Sequence, residues 1–277
     1  MSSYEDPRHF LARHELWPKD SFGQCFLIAE PIATAIVSAL NARSNETVVE
    51  IGTGCGTLAR MIAPMAREVL ALERDRDLVA ALRTERLPTN VQIVETDAGA
   101  YDYAEQCSRE PTAVVGNLPY QLTGRLVRAL LHPPVRWRVA VLMVQKEVAA
   151  RMLAAPGSKD WSALGVFVTA ACSVSRVADA SPRCFHPAPR VTSTVLRLEP
   201  RPVPLADESP AFQRVVHALF AARRKTVLNG LAAALPGGRL AAAEILSRAG
   251  IDAGVRPETL SVEQLGAIAK HIEHRDA

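Results

Sequence analysis

The chain has 277 residues, of which 48% are hydrophobic and 22% charged, a balance that predicts a buried core and excludes wholesale disorder. Lys and Arg number 32 against 29 Asp and Glu, so the net charge of +3 excludes a histone-like polycation but allows a local basic patch. The sequence contains no apolar run long enough for a transmembrane helix, and the polar N-terminus lacks the apolar core of a secretory signal.

The order of the predicted elements indicates an α/β region. The first 24 residues are polar, contain Pro7 and Pro18, and predict an extension with little regular structure. Apolar spacing predicts helices at 31–42, 57–66 and 75–86. Runs rich in β-branched residues predict strands at 47–51, 68–73, 91–95, 112–116, 138–144 and 192–198. Strands that alternate with helices favour a mostly parallel sheet.

A second region is predicted to be helical. Three prolines between 199 and 204 favour an extended linker. Helical patterns then follow at 209–222, 224–235, 239–249 and 261–272. We therefore predict an α/β domain over 1–204 and a small all-helical domain over 205–277.

The five cysteines favour a cytoplasmic protein. They form no C-x-x-C pair, and their odd number does not suit a disulfide framework, so reduced thiols are expected. The histidines also lack metal-ligand spacing, and no metal is expected. No heptad or apolar stripe demands a dimer, so we expect a monomer.

A glycine-rich turn follows the first predicted strand. Gly52, Gly54 and Gly56 have G-x-G-x-G spacing, and glycines at that place let the backbone approach a ligand. Glu73 ends the next strand, where a carboxylate accepts hydrogen bonds from ribose hydroxyls. Asp97 follows the third strand and is suited either to an adenine amino group or to an ordinary turn. The spacing favours S-adenosylmethionine over NAD.

The tetrad Asn117-Leu118-Pro119-Tyr120 directly follows the fourth strand. The Asn117 amide oxygen and the Leu118 carbonyl are placed to accept from a planar amine, and Pro119 stiffens the turn. Tyr120 offers a ring on which a flipped base can stack. Phe185 is a candidate for the other face of that base, although a buried Phe in a proline-rich loop explains it equally well.

A basic run, Arg223-Arg224-Lys225, stands at the start of a predicted helix in the second domain. It is a candidate phosphate contact, and the alternative is a solvated helix face.

Six segments in order resemble the rRNA adenine N6,N6-dimethyltransferase family. They are 22–27, 50–58, 117–120, 145–148, 185–193 and 224–226. The resemblance implies a Rossmann-like S-adenosylmethionine-dependent methyltransferase domain with a helical RNA-binding domain. It also implies dimethylation of two adjacent adenosines in the 3′-terminal hairpin of small-subunit (16S) rRNA, with a role in small-subunit assembly. The implied partners are that rRNA and its assembly intermediates.

The same resemblance implies which residues surround the cofactor: Gln24, Leu27, Gly52, Glu73, Asp97 and Asn117. It assigns the target base to 117–120. We add Cys25, Gly54 and Gly56 as cofactor-site candidates because they lie in the same two segments. Cys25 stands where the family usually has Asn, and a thiol is the weaker hydrogen-bond partner. Gly99 stands where a larger apolar residue is usual.

Three other functions remain open. A related large-subunit (23S) rRNA methyltransferase that confers macrolide resistance shares the glycine turn and a similar tetrad, although Leu118 and 185–193 favour the small-subunit branch. A mainly non-catalytic ribosome assembly factor would suit Cys25, but the intact tetrad opposes it. A dehydrogenase is disfavoured by the glycine spacing and the tetrad.

Overall fold

The computed structural model describes residues 4–107, 111–132 and 135–276. The described helices are α1 (Pro7–Arg13), α2 (Glu30–Leu40), α3 (Thr57–Ile62), α4 (Arg76–Thr84), α5 (Tyr103–Cys107), α6 (Thr123–Leu131), α7 (Lys146–Leu153), α8 (Ala163–Ala171), α9 (Pro210–Ala221), α10 (Val227–Ala232), α11 (Gly238–Arg248) and α12 (Val262–Asp276). The described strands are β1 (Phe26–Leu27), β2 (Thr47–Ile51), β3 (Glu68–Glu73), β4 (Val91–Glu95), β5 (Thr112–Asn117), β6 (Val139–Gln145), β7 (Cys172–Ala180), β8 (Phe185–His186) and β9 (Ser193–Pro200).

The main sheet confirms the α/β prediction. Its strand order in the described residues is β4-β3-β2-β5-β6-β9-β7, in which β2 to β6 run parallel and β9 is antiparallel to β6. Ile51 lies opposite both Leu72 and Gly116. The loops after β2, β3 and β5 therefore leave the same edge of the sheet. The order reverses between β2 and β5, which is where open α/β sheets bind ligands.

The antiparallel strand β9 distinguishes this sheet from the sheet of dinucleotide-binding enzymes. Their usual order ends in parallel strands, whereas here β9 lies between β6 and β7. Residues of the late strand, such as Val195 and Leu196, are fully buried, so β9 is a core element and not an appended edge.

The chain forms two compact units whose boundaries correct the predicted ones. The first contains residues up to 149 together with 174–200, and the second contains 150–173 with 201–277. The predicted boundary after 204 leaves residues 150–173 in the first domain, because no helix was predicted at 163–171. Phe167 of α8 lies edge-on to Phe212 of α9 with ring centroids 6.0 Å apart, which shows why α8 belongs with the C-terminal helices.

The N-terminal segment is ordered, so the predicted extension with little regular structure is wrong. Pro7 occupies the first turn of α1, where its missing N–H costs nothing, and Asp6 caps the helix by accepting from the Arg8 N–H at 2.9 Å. Phe10 and Leu11 are buried in one cluster with Leu82 of α4. A two-turn helix gives too short a period to be recognised from sequence.

The observed helix limits in the second unit change the predicted position of the basic run. The basic run Arg223-Arg224-Lys225 lies in the turn between α9 and α10, and not at a helix start as predicted. Thr226 caps α10 by accepting from the Asn229 N–H at 3.4 Å. Among the described residues, the helices include none with the length and hydropathy needed to cross a membrane.

Candidate active site

A cavity of about 270 Å³ opens at the edge of the sheet where β2, β3 and β5 end. This volume is close to the lower end of the range for small-molecule sites. Predicted site residues that line it are Gln24, Cys25, Leu27, Gly52, Gly54, Glu73, Asp97, Asn117, Leu118, Pro119 and Tyr120. Gly56, Phe185 and the basic run 223–225 are not among its lining residues.

The glycine turn holds the backbone open toward the cavity. Gly54 has a φ of +59°, and a Cβ there would lie 3.1 Å from two atoms of the Phe26 ring. Gly56, with a φ of +76°, begins α3, and a Cβ there would lie 3.0 Å from Leu82. Gly56 therefore shapes the turn and its packing without lining the cavity.

Glu73 is the anchor of this turn. Its Oε2 accepts from the Gly54 N–H at 2.8 Å, and its Oε1 accepts from the N–H groups of Arg74 and Asp75 at 2.8 and 2.9 Å. Burial raises the pKa of this carboxyl, and the three N–H donors oppose that shift. A carboxylate offers about four lone-pair sites. Three are used, so Oε2 keeps one for a ligand hydroxyl.

A second carboxyl, that of Glu50, lies fully buried beside the turn. Burial raises its pKa to about 8, and the nearby Glu73 carboxyl acts in the same direction. It is hydrogen-bonded to Thr53 Oγ1 at 2.6 Å. Glu50 lies within the quoted 50–58 segment, but nothing in the sequence marks it as neutral at pH 7.

Gln24 connects the N-terminal segment to α4. Its Nε2 donates to Asp75 Oδ2 at 2.8 Å, and its Oε1 accepts from the Lys19 N–H at 2.7 Å. Lys19 Nζ also lies 2.6 Å from Asp75 Oδ1. Although burial opposes ionisation of Asp75, these donors lower its pKa. Gln24 thus holds one wall of the cavity in place with both ends of its amide engaged.

Asp97 has the turn role that its sequence context allowed, and it also lines the cavity. Its Oδ1 accepts from the Gly99 N–H at 2.8 Å, which is the turn role. Its Oδ2 lies 3.6 Å from Arg74, which lines the cavity and stands 5.2 Å from the Phe22 ring centroid. One carboxylate oxygen thus remains on the cavity side of the turn.

Asn117 is oriented by the N-terminal segment. Its Nδ2 donates to the backbone carbonyl of Cys25 at 3.0 Å, so that Oδ1 is the amide atom left to accept. The neighbouring Leu118 is fixed by its N–H, which donates to the Met143 carbonyl at 3.0 Å. The contribution of Cys25 comes from its backbone, which replacing Asn by Cys does not change. The sequence-based prediction considered only the Cys25 thiol and missed this backbone contact.

Tyr120 is fixed at its far end. Its hydroxyl is 3.0 Å from Ser193 Oγ, and Ser193 is fully buried at the start of β9. Burial raises the pKa of Tyr120. Phe185 pairs with Leu27 across β8 and β1 and is only 3% exposed in the core. The structure therefore places Phe185 in the core, with no face open to a base.

The basic run lies in the second unit. Arg223 donates to the Lys159 carbonyl at 3.1 Å, whereas Arg224 and Lys225 are exposed. Separately, the part of the chain that the structure describes shows no group of three or more His, Cys, Asp or Glu suited to a metal.

This chain is similar in sequence to known ribosomal RNA methyltransferases. A family model described as "Ribosomal RNA adenine dimethylase" matches residues 17–274. A protein of Myxococcus xanthus named ribosomal RNA small subunit methyltransferase A is 41% identical over 96% of this chain and 95% of its own length. A protein of the same name from Pelotomaculum thermopropionicum is 40% identical over 95% of this chain and 94% of its own.

Solved structures show the same fold. The crystal structure of the 23S rRNA methyltransferase ErmE has a TM-score of 0.66 and 27% identity, and the match covers 90% of this chain and 99% of that one. A dimethyladenosine transferase from Plasmodium falciparum has a TM-score of 0.78 at 24% identity, over 91% of this chain and 98% of that one. The second likeness concerns the fold alone.

Proposed function

Because the chain belongs to the ribosomal RNA adenine dimethylase family, we propose that it methylates N6 of two adjacent adenosines in the 3′-terminal hairpin of small-subunit rRNA. S-adenosylmethionine is the proposed methyl donor. The relatives from Myxococcus xanthus and Pelotomaculum thermopropionicum carry the small-subunit name. The observation that carries the proposal is the orientation of Asn117 by the Cys25 carbonyl at 3.0 Å.

The cavity has the donors and acceptors that an adenosine cofactor needs. The remaining lone pair of Glu73 Oε2 suits a ribose hydroxyl, and the open oxygen of Asp97 suits an adenine amino group. Gly54 keeps the turn free of a side chain that would meet Phe26. When bound, S-adenosylmethionine supplies an electrophilic methyl group.

The tetrad supplies the groups that prepare the acceptor. An adenine amine is a poor nucleophile because its lone pair is delocalised into the ring. Asn117 Oδ1 and the Leu118 carbonyl each accept one of its hydrogens, which favours a tetrahedral nitrogen with its lone pair free. The nitrogen would form the new N–C bond as the donor's methyl–sulfur bond broke, with that electron pair left on sulfur. The nitrogen would then lose its proton to water, so no residue is assigned as a base.

Tyr120 provides the platform for the extruded base. Its hydroxyl is tied to the buried Ser193, so the ring angle is set before the base arrives. Phe185 contributes by pairing β8 with β1, which supports the segment that carries Cys25. We assign Phe185 this supporting role in place of stacking.

We place RNA contacts of the second unit at Arg224 and Lys225, whose charges are exposed, with Arg223 holding the turn. The rRNA substrate and the unpaired cysteines suit a cytoplasmic protein. Small-subunit assembly intermediates are the proposed partners, and a monomer is the proposed state.

The test is transfer of labelled methyl groups to isolated ribosomal subunits that lack the modification. We expect label on small-subunit rRNA, and at least a hundredfold loss in kcat with Asn117→Ala while binding of S-adenosylmethionine stays within about fivefold. Label on the large subunit alone would instead support the 23S activity that the likeness to ErmE suggests. If the parent protein bound the subunits without transferring label, the assembly-factor alternative would replace the enzyme.

A further inference from the structure

Gly99 and Arg125 meet just outside the cavity lining. Gly99 lies in the turn that follows Asp97, and Arg125 lies in the first turn of α6. A Cβ built on Gly99 would lie 3.5 Å from Arg125 Cζ and 3.6 Å from its Nε. The guanidinium therefore lies across the bare face of the glycine, in space that a larger side chain at 99 would fill.

This placement puts a cation at the mouth of the site. Asp97 and Ala98, just before Gly99, line the cavity on the proposed cofactor side. Gln121 and Leu122, one turn before Arg125, line it on the side of the acceptor tetrad. The guanidinium thus stands where the two walls come together.

The charge of Arg125 is available to a ligand. Its side chain is exposed, and within the described ranges it has no hydrogen bond or ion pair. Asp97, which also lies beside Gly99, accepts from the Gly99 N–H at 2.8 Å and lies 3.6 Å from Arg74. The partners of Asp97 are therefore groups other than Arg125.

We propose that Arg125 binds a backbone phosphate of the RNA strand next to the flipped adenosine, an inference that rests on the proposed rRNA substrate. A nucleotide turned out of its stack brings its own phosphates to the mouth of the pocket. A guanidinium presents a planar set of N–H donors that match phosphate oxygens. Such a contact positions the strand without reading its sequence.

The test is steady-state methylation of unmodified small subunits by Arg125→Gln at several KCl concentrations. We expect KM for the subunit to rise about 3- to 10-fold and kcat to stay within about twofold. The salt dependence of log kcat/KM should become shallower by roughly 0.7 to 0.9, which corresponds to one lost phosphate contact. Arg125→Lys should retain the slope because it retains the charge.

Arg86→Gln is the matched control. Arg86 is also exposed and without a partner in the described residues, but it lies in the segment between α4 and β4, of which no residue lines the cavity. It should leave KM and the salt slope unchanged. If Arg125→Gln matches the parent, matches Arg86→Gln, or changes KM for S-adenosylmethionine instead, the phosphate role is wrong. Activity of the parent in the same assay separates that failure from failure of the proposed function.

Discussion

Glu73→Gln perturbs the proposed cofactor site at its anchor. The carboxylate accepts three backbone N–H groups, two at Oε1 and the Gly54 N–H at Oε2. The glutamine keeps one oxygen to accept from the N–H groups of Arg74 and Asp75. Its NH₂ group then faces the Gly54 N–H, so two donors meet. One N–H in a largely buried site is left unsatisfied, which costs about 1–3 kcal/mol of unfolding free energy.

Binding of the cofactor should suffer separately. The NH₂ group cannot accept from a ribose hydroxyl, and a hydrogen bond to a charged group contributes about 1.5–3 kcal/mol. The Kd for S-adenosylmethionine is therefore expected to rise about 10- to 150-fold. Isothermal titration measures the Kd, and urea unfolding measures the stability of the same preparation.

Glu95→Gln is the control for this prediction. Glu95 lies opposite Glu73 in the register of β4 on β3, but it is more exposed and pairs with Arg76 at 3.1 Å. Its substitution should change the Kd by less than about twofold. A folded Glu73→Gln protein that bound S-adenosylmethionine as tightly as the parent would refute the ribose role.

Three further predictions test the turn and the platform. Tyr120→Phe leaves the buried Ser193 hydroxyl without its partner and should lower the free energy of unfolding in urea by about 1–3 kcal/mol. Adding Ser193→Ala should recover part of that loss, because the unpaired hydroxyl is then removed. If the two substitutions lower stability additively, the hydrogen bond between Tyr120 and Ser193 does not couple them. Gly54→Ala should lose more stability than Gly157→Ala, because both glycines have a positive φ but only a Cβ at 54 meets another residue, and equal losses would argue against the Phe26 contact. Burial raises the pKa of Glu50 to about 8 from an ordinary 4.5, so the stability held by its protonated form is complete below about pH 4.5 and is lost as the pH rises through about 8. Glu50→Gln should therefore gain stability relative to the parent across that interval, and parallel pH profiles of unfolding would show that Glu50 keeps its ordinary pKa.

The parallel strands were predictable because their signals are local. Buried strands such as β2 and β3 are continuous apolar or β-branched runs bounded by turns, and their predicted limits match the structure. The loops that follow them then meet at one edge by topology alone. For this reason Glu73, Asp97 and Asn117 were found from sequence as a group.

The features that sequence reasoning missed depend on tertiary contacts. The α1 helix is stabilised mainly by burying Phe10 and Leu11, and its two turns give too little periodicity to predict it. The Cys25 carbonyl that orients Asn117 belongs to the backbone, so the residue type at position 25 does not indicate this contact. For Phe185 the sequence left stacking and burial equally open, and the pairing with Leu27 places it in the core.

The most direct test of the central claim is mass spectrometry of the 3′-terminal rRNA fragment from unmodified small subunits after incubation with the protein and S-adenosylmethionine. We expect four added methyl groups, two on N6 of each of two adjacent adenosines, and methyl addition at least a hundredfold slower with Asn117→Ala. An unchanged fragment mass with the parent protein, or methyl groups on other nucleotides, would contradict the proposed function.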